Sequence, residues 1–326
     1  MRRIATVLLL VWPALAAATP ITLELPLDCS GTRCTVQKYF DVDPGPGRMD
    51  YSCGRLTNDG DTATDIRVPD FPTMERGVPV LAAAPGVVRV TRDGMDDVSV
   101  RTIGREALGG RDAGNKVVID HGDGWVTQYS HMRKGSILVK PGQQVEAGQQ
   151  LGLIGLSGKT EFPHLNFLVH HDGRKLDPFI GLAPFHACGD ARQPLWSPAA
   201  LAALPYRPTG PLIAGFAGER PEADRARHGA YAADRLPADV PALVFWTEVY
   251  GVEAGDRQRF RITGPDGRTI HDSDAPIEAS NLRWFAFSGL KRPAAGWPPG
   301  RYRGTYELTR GGEALVTTTD EVQIGG

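Results

Sequence analysis

E-F-P-H-L-N-F-L-V-H, residues 161–170, is the stretch whose reading decides the fold. Leu165, Phe167 and Val169 fall on one side of an alternation, and His164, Asn166 and Leu168 on the other. That period of two belongs to a strand with one face in a core. His164 and Asn166 then stand side by side on the opposite face, about 7 Å apart at the backbone. Polar side chains in so apolar a strand need partners. They are either a polar pair solvated at a sheet edge or part of a site, and the flanking chain decides between the two.

The chain has 326 residues, which suggests about two domains. Its net charge of −2 and hydrophobic fraction of 41% are those of an ordinary globular protein. They give no electrostatic case for a nucleic-acid partner. With Gly 39 and Pro 26, many turns and short strands are expected rather than long helices. Arg2 and Arg3 followed by an apolar run over residues 4–15 and Ala16-Ala17-Ala18 read as a secretory signal over residues 1–18. The product is expected to be exported, periplasmic or secreted, with no membrane span after signal cleavage. Export makes disulfides reasonable for Cys29, Cys34, Cys53 and Cys188. Of the three possible pairings, Cys29–Cys34 closes a short local loop and Cys53–Cys188 ties the two ends of one domain, and this pairing is favoured.

Residues 19–52 read as a Pro/Gly/Asp-rich lead-in, and regular patterning begins at Cys53. Short β-type runs follow at 78–84, 87–92, 116–120, 125–130, 143–148 and 151–156, divided by turn signals. Residues 93–114 are polar and Gly-rich, long enough to be a groove wall or an insertion. Residues 197–204 suit one short helix. Residues 205–240 are rich in Pro, Gly and charge and read as a linker. From 241 to 326, about six short runs with turns between them predict an Ig-like β-sandwich that acts as a structural or binding module. The fold class is therefore all-β: a sheet domain over 53–204 and a C-terminal sandwich.

Three constellations carry possible chemistry. Asp61 and Asp65 lie in N-D-G-D-T-A-T-D, residues 58–65. In a straight strand they would be about 13 Å apart, so only a turn through Ala63 could bring them together. His131, in Q-Y-S-H, falls by alternation on the face of Tyr129, and His121 falls in a hairpin turn at the surface. Gly155-Leu-Ser-Gly158-Lys159-Thr160 is not a phosphate loop. Position 153 is Leu where the motif needs Gly, and Glu161-Phe162-Pro163 starts no helix. Ser157 lacks the strand-to-helix elbow of a nucleophile.

The order of these blocks carries a resemblance. A His-x-Gly-x-Asp-like position at 61–65 is followed by G-V-P-V-L-A-A-A-P-G-V-V (77–88), G-N-K-V-V-I-D-H-G-D-G-W (114–125) and Tyr129-Ser130-His131. P-G-Q-Q-V-E-A-G-Q-Q-L-G (141–152), P-H-L-N-F (163–167) and Leu176-Asp177-Pro178 complete it. Over residues 57–180 the chain resembles the M23 family of zinc metallopeptidases, the lysostaphin and LytM type that cut cell-wall peptides. The resemblance implies a largely antiparallel β domain with a groove across one sheet. It also implies that Asp65 matches the ligand aspartate, His164 the non-ligand catalytic histidine, and His131 the second catalytic histidine. Asp61 and Asn166 stand where the family has its two ligand histidines.

Those departures bear on activity. A hydrolytic zinc site takes about three protein ligands, commonly nitrogen-rich, and leaves one position for water. Asp61, Asp65 and Asn166 would instead give an all-oxygen set, better suited to Ca²⁺, Mg²⁺ or Mn²⁺. The sequence is read first as a degenerate M23-like protein, possessing Zn²⁺ only if the site works. It would bind peptidoglycan peptides or a cell-wall hydrolase. The alternative is an active metalloendopeptidase with altered ligands, in which His164 and His131 assist a metal-bound water.

Overall fold

The computed structural model describes residues 20–325. The expected signal, residues 1–18, lies outside the described residues. The alternating stretch forms the strand His164–His171, with Leu165, Phe167 and Val169 all at 1% exposure or less. Around it the groove domain runs β1 (Thr35–Lys38), β2 (Thr64–Arg67), β3 (Pro79–Leu81), β4 (Gly86–Arg92) and β5 (Asn115–Gly122). It continues through β6 (Trp125–Met132), β7 (Gln144–Val145), β8 (Gln150–Leu153), β9 (His164–His171) and β10 (Arg174–Leu176). An eight-stranded sheet has the order β1-β2-β9-β6-β5-β4-β7, with β10 paired to β9, while β3 and β8 form a separate pair.

The core face of this sheet is apolar because β6 and β9 contribute alternate residues to it. Tyr129 and Phe167 are cross-strand partners with ring centroids 5.3 Å apart. Phe167 also packs on Trp196 at 5.4 Å. Each fully buried side chain of this size contributes about 1.5–3 kcal/mol. The helix Pro198–Ala203 closes this core. Ser197 caps it by accepting a 3.1 Å hydrogen bond from the amide of Ala200.

The segment expected to lead into the domain belongs to it. Leu23, Leu27, Val36 and Tyr39 are buried in the same core, and β1 is the edge strand. These contacts are with residues distant in sequence, and the Pro/Gly/Asp composition of 19–52 masks them. Disulfides join Cys29 to Cys34 and Cys53 to Cys188.

Residues 205–240, expected to be a linker, also hold regular structure. They form β11 (Gly210–Ala217), the helix Ala223–Arg227 and β12 (Arg235–Leu236). The glycines that break up the strand pattern here serve close packing. Gly215 lies against the Trp246 ring, where a side chain would collide. The sandwich continues with β13 (Ala242–Val252), β14 (Arg257–Thr263), β15 (Thr269–Pro276), β16 (Asn281–Lys291), β17 (Gly300–Arg310) and β18 (Glu313–Ile324). A three-stranded sheet, β11-β13-β16, faces a five-stranded one, β12-β18-β17-β14-β15. Phe216, Phe245, Phe260, Tyr306 and Leu308 fill the space between them.

The sandwich is docked on the groove domain rather than tethered to it. Leu212 and Tyr250 enter the groove-domain core. Arg33 Nη2 donates to the Leu212 carbonyl at 2.6 Å, and Phe71 stacks on His228 at 3.9 Å. Among the described residues, no helix is long and apolar enough to cross a membrane.

Candidate functional site

The sheet register sets out the site. Lys38 on β1 pairs with Asp65 on β2, Asp65 with Asn166 on β9, and Asn166 with Ser130 on β6. One rung across four strands thus carries a cation, a carboxylate and an amide. Lys38 Nζ lies 2.7 Å from Asp65 Oδ2 and 3.2 Å from Asp61 Oδ2. The turn before β2 therefore does bring the two aspartates together, and their meeting point is an ammonium group. Asn166 Nδ2 donates to Asp65 Oδ1 at 2.8 Å. That orientation follows from chemistry, since an ionised carboxylate can only accept.

The charges are mutually dependent. Burial by itself would push Asp65 up, but the neighbouring His164 and Lys38 outweigh it and hold the carboxyl well below the usual range. Asp61 is raised by burial and by the charge on Asp65, and Lys38 only partly offsets this. Burial pulls Lys38 down, yet Asp65 and Asp61 more than compensate and its pKa rises. A buried carboxylate with a hydrogen-bonded cation is the arrangement in which a buried charge is tolerated.

The histidines form the other flank. His164 Nδ1 faces the Phe162 carbonyl at 2.9 Å and the Thr160 hydroxyl at 3.2 Å, and Nε2 lies 3.4 Å from Asp65 Oδ1. His131 departs from the simple alternation. Its φ of 64° is left-handed, which turns it away from the core face of Tyr129 onto the groove face. There its ring centroid is 4.8 Å from that of His164. His131 Nδ1 is 2.7 Å from the Ser157 carbonyl. Burial, reinforced by His164, pushes the imidazole down to about 3, so it is neutral near pH 7.

Other residues singled out in the sequence are structural. Ser157 Oγ accepts from the Asn115 amide and donates to the Met132 carbonyl, so it is not a nucleophile. His121, expected in a surface turn, lies within β5. It is half-buried between the Pro85 carbonyl at 2.7 Å and Thr127 Oγ1 at 2.8 Å. Residues 93–114 are a groove wall, pinned by Val100 N to Thr160 O at 2.9 Å and Lys159 N to Asp112 O at 2.8 Å. Gly114 (φ 58°) passes so close to Ser157 that any side chain there would strike the Ser157 carbonyl.

Four residues of the site do not announce themselves in sequence: Lys38, Arg67, Phe162 and Arg283. Phe162 stacks on His164 at 4.6 Å. The guanidinium of Arg67 lies 5.0 Å from its ring centroid and that of Arg283 lies 5.3 Å away. Arg67 is 1% exposed and, among the described residues, bonds only to uncharged oxygens, those of Gln37, Val68 and Pro69. Burial brings it down to about 10. Charge accounting was the available signal for Lys38, because two converging carboxylates without histidines require some other cation.

This donor set does not fit a zinc ion. A metal held at about 2 Å by both aspartates would need the space taken by the Lys38 ammonium. Asn166 presents N–H donors to Asp65, and both Asp65 oxygens are engaged. Among the described residues, no group of three or more His, Cys, Asp or Glu side chains is placed to hold a metal.

Residues 69–178 match the family described as Peptidase family M23, and the groove domain is of that type. The match includes His131, His164 and Asn166 and begins after Asp61 and Asp65. The chain is 38% identical over 108 residues to the peptidoglycan DD-endopeptidase ShyA of Vibrio cholerae, covering 33% of this chain and 21% of ShyA. It is 36% identical over 114 residues to the cell division protein DipM of Caulobacter vibrioides, covering 35% of this chain and 14% of DipM. To the lipoprotein NlpD/LppB homolog of Pseudomonas aeruginosa it is 30% identical over 125 residues, covering 38% of this chain and 35% of that protein. The chain thus spans well under half the length of each of these relatives.

Proposed function

We propose that this is an exported M23-type protein that does not hydrolyse peptides. Its groove domain would instead bind peptidoglycan peptides or dock on a cell-wall hydrolase. The observation that carries this reading is the Lys38 ammonium between Asp61 and Asp65. One ammonium offsets part of the charge of the two carboxylates but cannot do what a zinc ion does, namely lower the pKa of a bound water and polarise a carbonyl. His164 and His131 are 4% and 6% exposed, with Phe162 stacked on His164, so neither is open to a water and a peptide together. The cell-wall setting rests on the relatives, one of which is named for its action on peptidoglycan. Zinc content and peptide release from purified sacculi test the reading together. The expected result is substoichiometric zinc and no release above the buffer control.

The second reading, an active metalloendopeptidase, is favoured by the 4.8 Å His131–His164 pair. It would be established by stoichiometric zinc together with peptide release that is lost in His164→Ala.

A further inference from the structure

The junction between the two domains holds an open, mostly polar cleft of ≈ 610 Å³. Arg48 comes to it from the N-terminal segment, Arg101 from the groove wall, Arg227 from the helix Ala223–Arg227 and Arg283 from β16, and Asp224 is the one carboxylate in its lining. Gathering four guanidiniums from distant parts of the chain is electrostatically unfavourable unless something neutralises them.

The protein's own carboxylates do so incompletely. Arg227 is committed, bonding Glu248 at 3.0 and 3.2 Å through Nε and Asp224 at 2.6 Å through Nη1. Arg101 and Arg283 share a single carboxylate partner, Glu161, at 2.8 and 3.4 Å, each through Nη2 alone. Arg48 makes no side-chain hydrogen bond or ion pair among the described residues. Arg283 is only 18% exposed, and burial and the nearby Arg227 push its guanidinium down. Guanidinium donors on Arg48, Arg101 and Arg283 therefore remain uncommitted around one space.

A second cavity of ≈ 360 Å³ shares Arg101, Asp224, Arg227 and Arg283 and runs past Phe71, Met74 and Leu156, with Glu75 and Asp97 on its wall. We propose that the junction binds a small peptide carrying two or more carboxylates, gripped by Arg48, Arg101 and Arg283. Planar guanidinium forks match carboxylates in bidentate geometry. A bare inorganic anion would fill little of this volume. The adjoining apolar and acidic wall suits a peptide's side chains and its amino end. The inference stands on the junction's charges, so its failure would leave the reading of the groove untouched.

Titration calorimetry on the purified protein at low ionic strength tests it, with triglutamate, triglutamine and inorganic pyrophosphate as probes. Triglutamate is expected to bind, to weaken with added salt, and to exceed triglutamine by about tenfold or more. The Arg48→Ala/Arg101→Ala variant removes two side chains that are not buried in the core, so its melting temperature is expected to hold while triglutamate affinity falls about tenfold. Arg283→Lys keeps the charge but not the fork, and is expected to weaken binding as well. The proposal is overturned if triglutamate gives no heat, if triglutamine binds equally, or if the double variant binds as before. Pyrophosphate binding more tightly than triglutamate would overturn the peptide assignment in favour of a phosphate ligand.

Discussion

The two flanks of the groove floor differ in what they retain. On the β6–β9 side, the rings of His131 and His164 lie 4.8 Å apart, centroid to centroid, with a tilt of 51°. On the β1–β2 side, Asp61 and Asp65 converge on Lys38 of the same chain. One flank keeps the residue types of a hydrolytic site. The other sets one ammonium against two carboxylates. The comparison teaches that the electrostatic and chemical duties of a metal are separable. A buried carboxylate is stabilised by a hydrogen-bonded cation, and the Lys38 ammonium supplies one to Asp65. Lewis acidity is a further property, and an ammonium lacks it.

The sharpest way to break this contrast is to give the carboxylate flank nitrogen ligands. Changing Asp61→His and Asn166→His supplies the nitrogen ligands that zinc prefers, but Lys38 still fills the metal's position. Zinc affinity of that double variant is expected to stay weak. Adding Lys38→Ala to it is expected to lower the Kd for zinc by about a hundredfold or more, measured by competition with a chromogenic chelator. Equal affinities in the double and triple variants would mean that Lys38 swings aside at no cost and is no stand-in for a metal.

Lys38→Ala alone tests the folding duty. It leaves Asp61 and Asp65 facing each other without a cation. Removing one partner of a buried pair costs about 3–5 kcal/mol. Lys38 and Asp61 are 20% and 19% exposed, so water recovers part of this and a loss of about 3 kcal/mol is expected in urea unfolding at pH 7. A loss within error of zero would place the ammonium in solvent rather than between the carboxylates.

The fold was legible where the pattern was local. Residues 161–170 carried β9, and the runs at 116–120 and 125–130 carried β5 and β6. The groove, with Asp61, Asp65, His131, His164 and Asn166 on it, was implied by the family resemblance of the sequence blocks and not by their spacing alone. Lys38 was not legible, because T-V-Q-K is an ordinary edge-strand sequence whose meaning comes from pairing with a strand nearly thirty residues later. His131 was placed on the wrong face because one left-handed residue reverses an alternation. Residues 210–217 looked like a linker because Gly210 and Gly215, chosen for close approach to Tyr250 and Trp246, erase the strand signal.

A second buried aspartate serves as a control for the carboxylate flank. Asp177 is 5% exposed and accepts a 2.8 Å hydrogen bond from the Phe179 amide through Oδ1, while Oδ2 is buried without a partner. Among the described residues no cation is hydrogen-bonded to it as Lys38 is to Asp65, though Arg192 is near enough to lower its pKa slightly. Burial raises its pKa to about 7, against only partial relief from the Phe179 amide. A carboxyl whose folded value is raised contributes stability that is fully present below its unfolded value near 3.8 and is lost as pH rises through about 7. Asp177→Asn does not titrate, so its stability relative to the natural chain should improve between pH 4 and pH 8. The expected gain across that window is about 2 kcal/mol, since relaxation and water entry offset part of the nominal cost of a buried charge. Paired urea titrations at the two pH values measure it. If the difference between the chains is the same at pH 4 and pH 8, Asp177 is ionised at no cost. The contrast with Asp65 would then lie in the number of hydrogen bonds each carboxylate accepts, not in the presence of a cation.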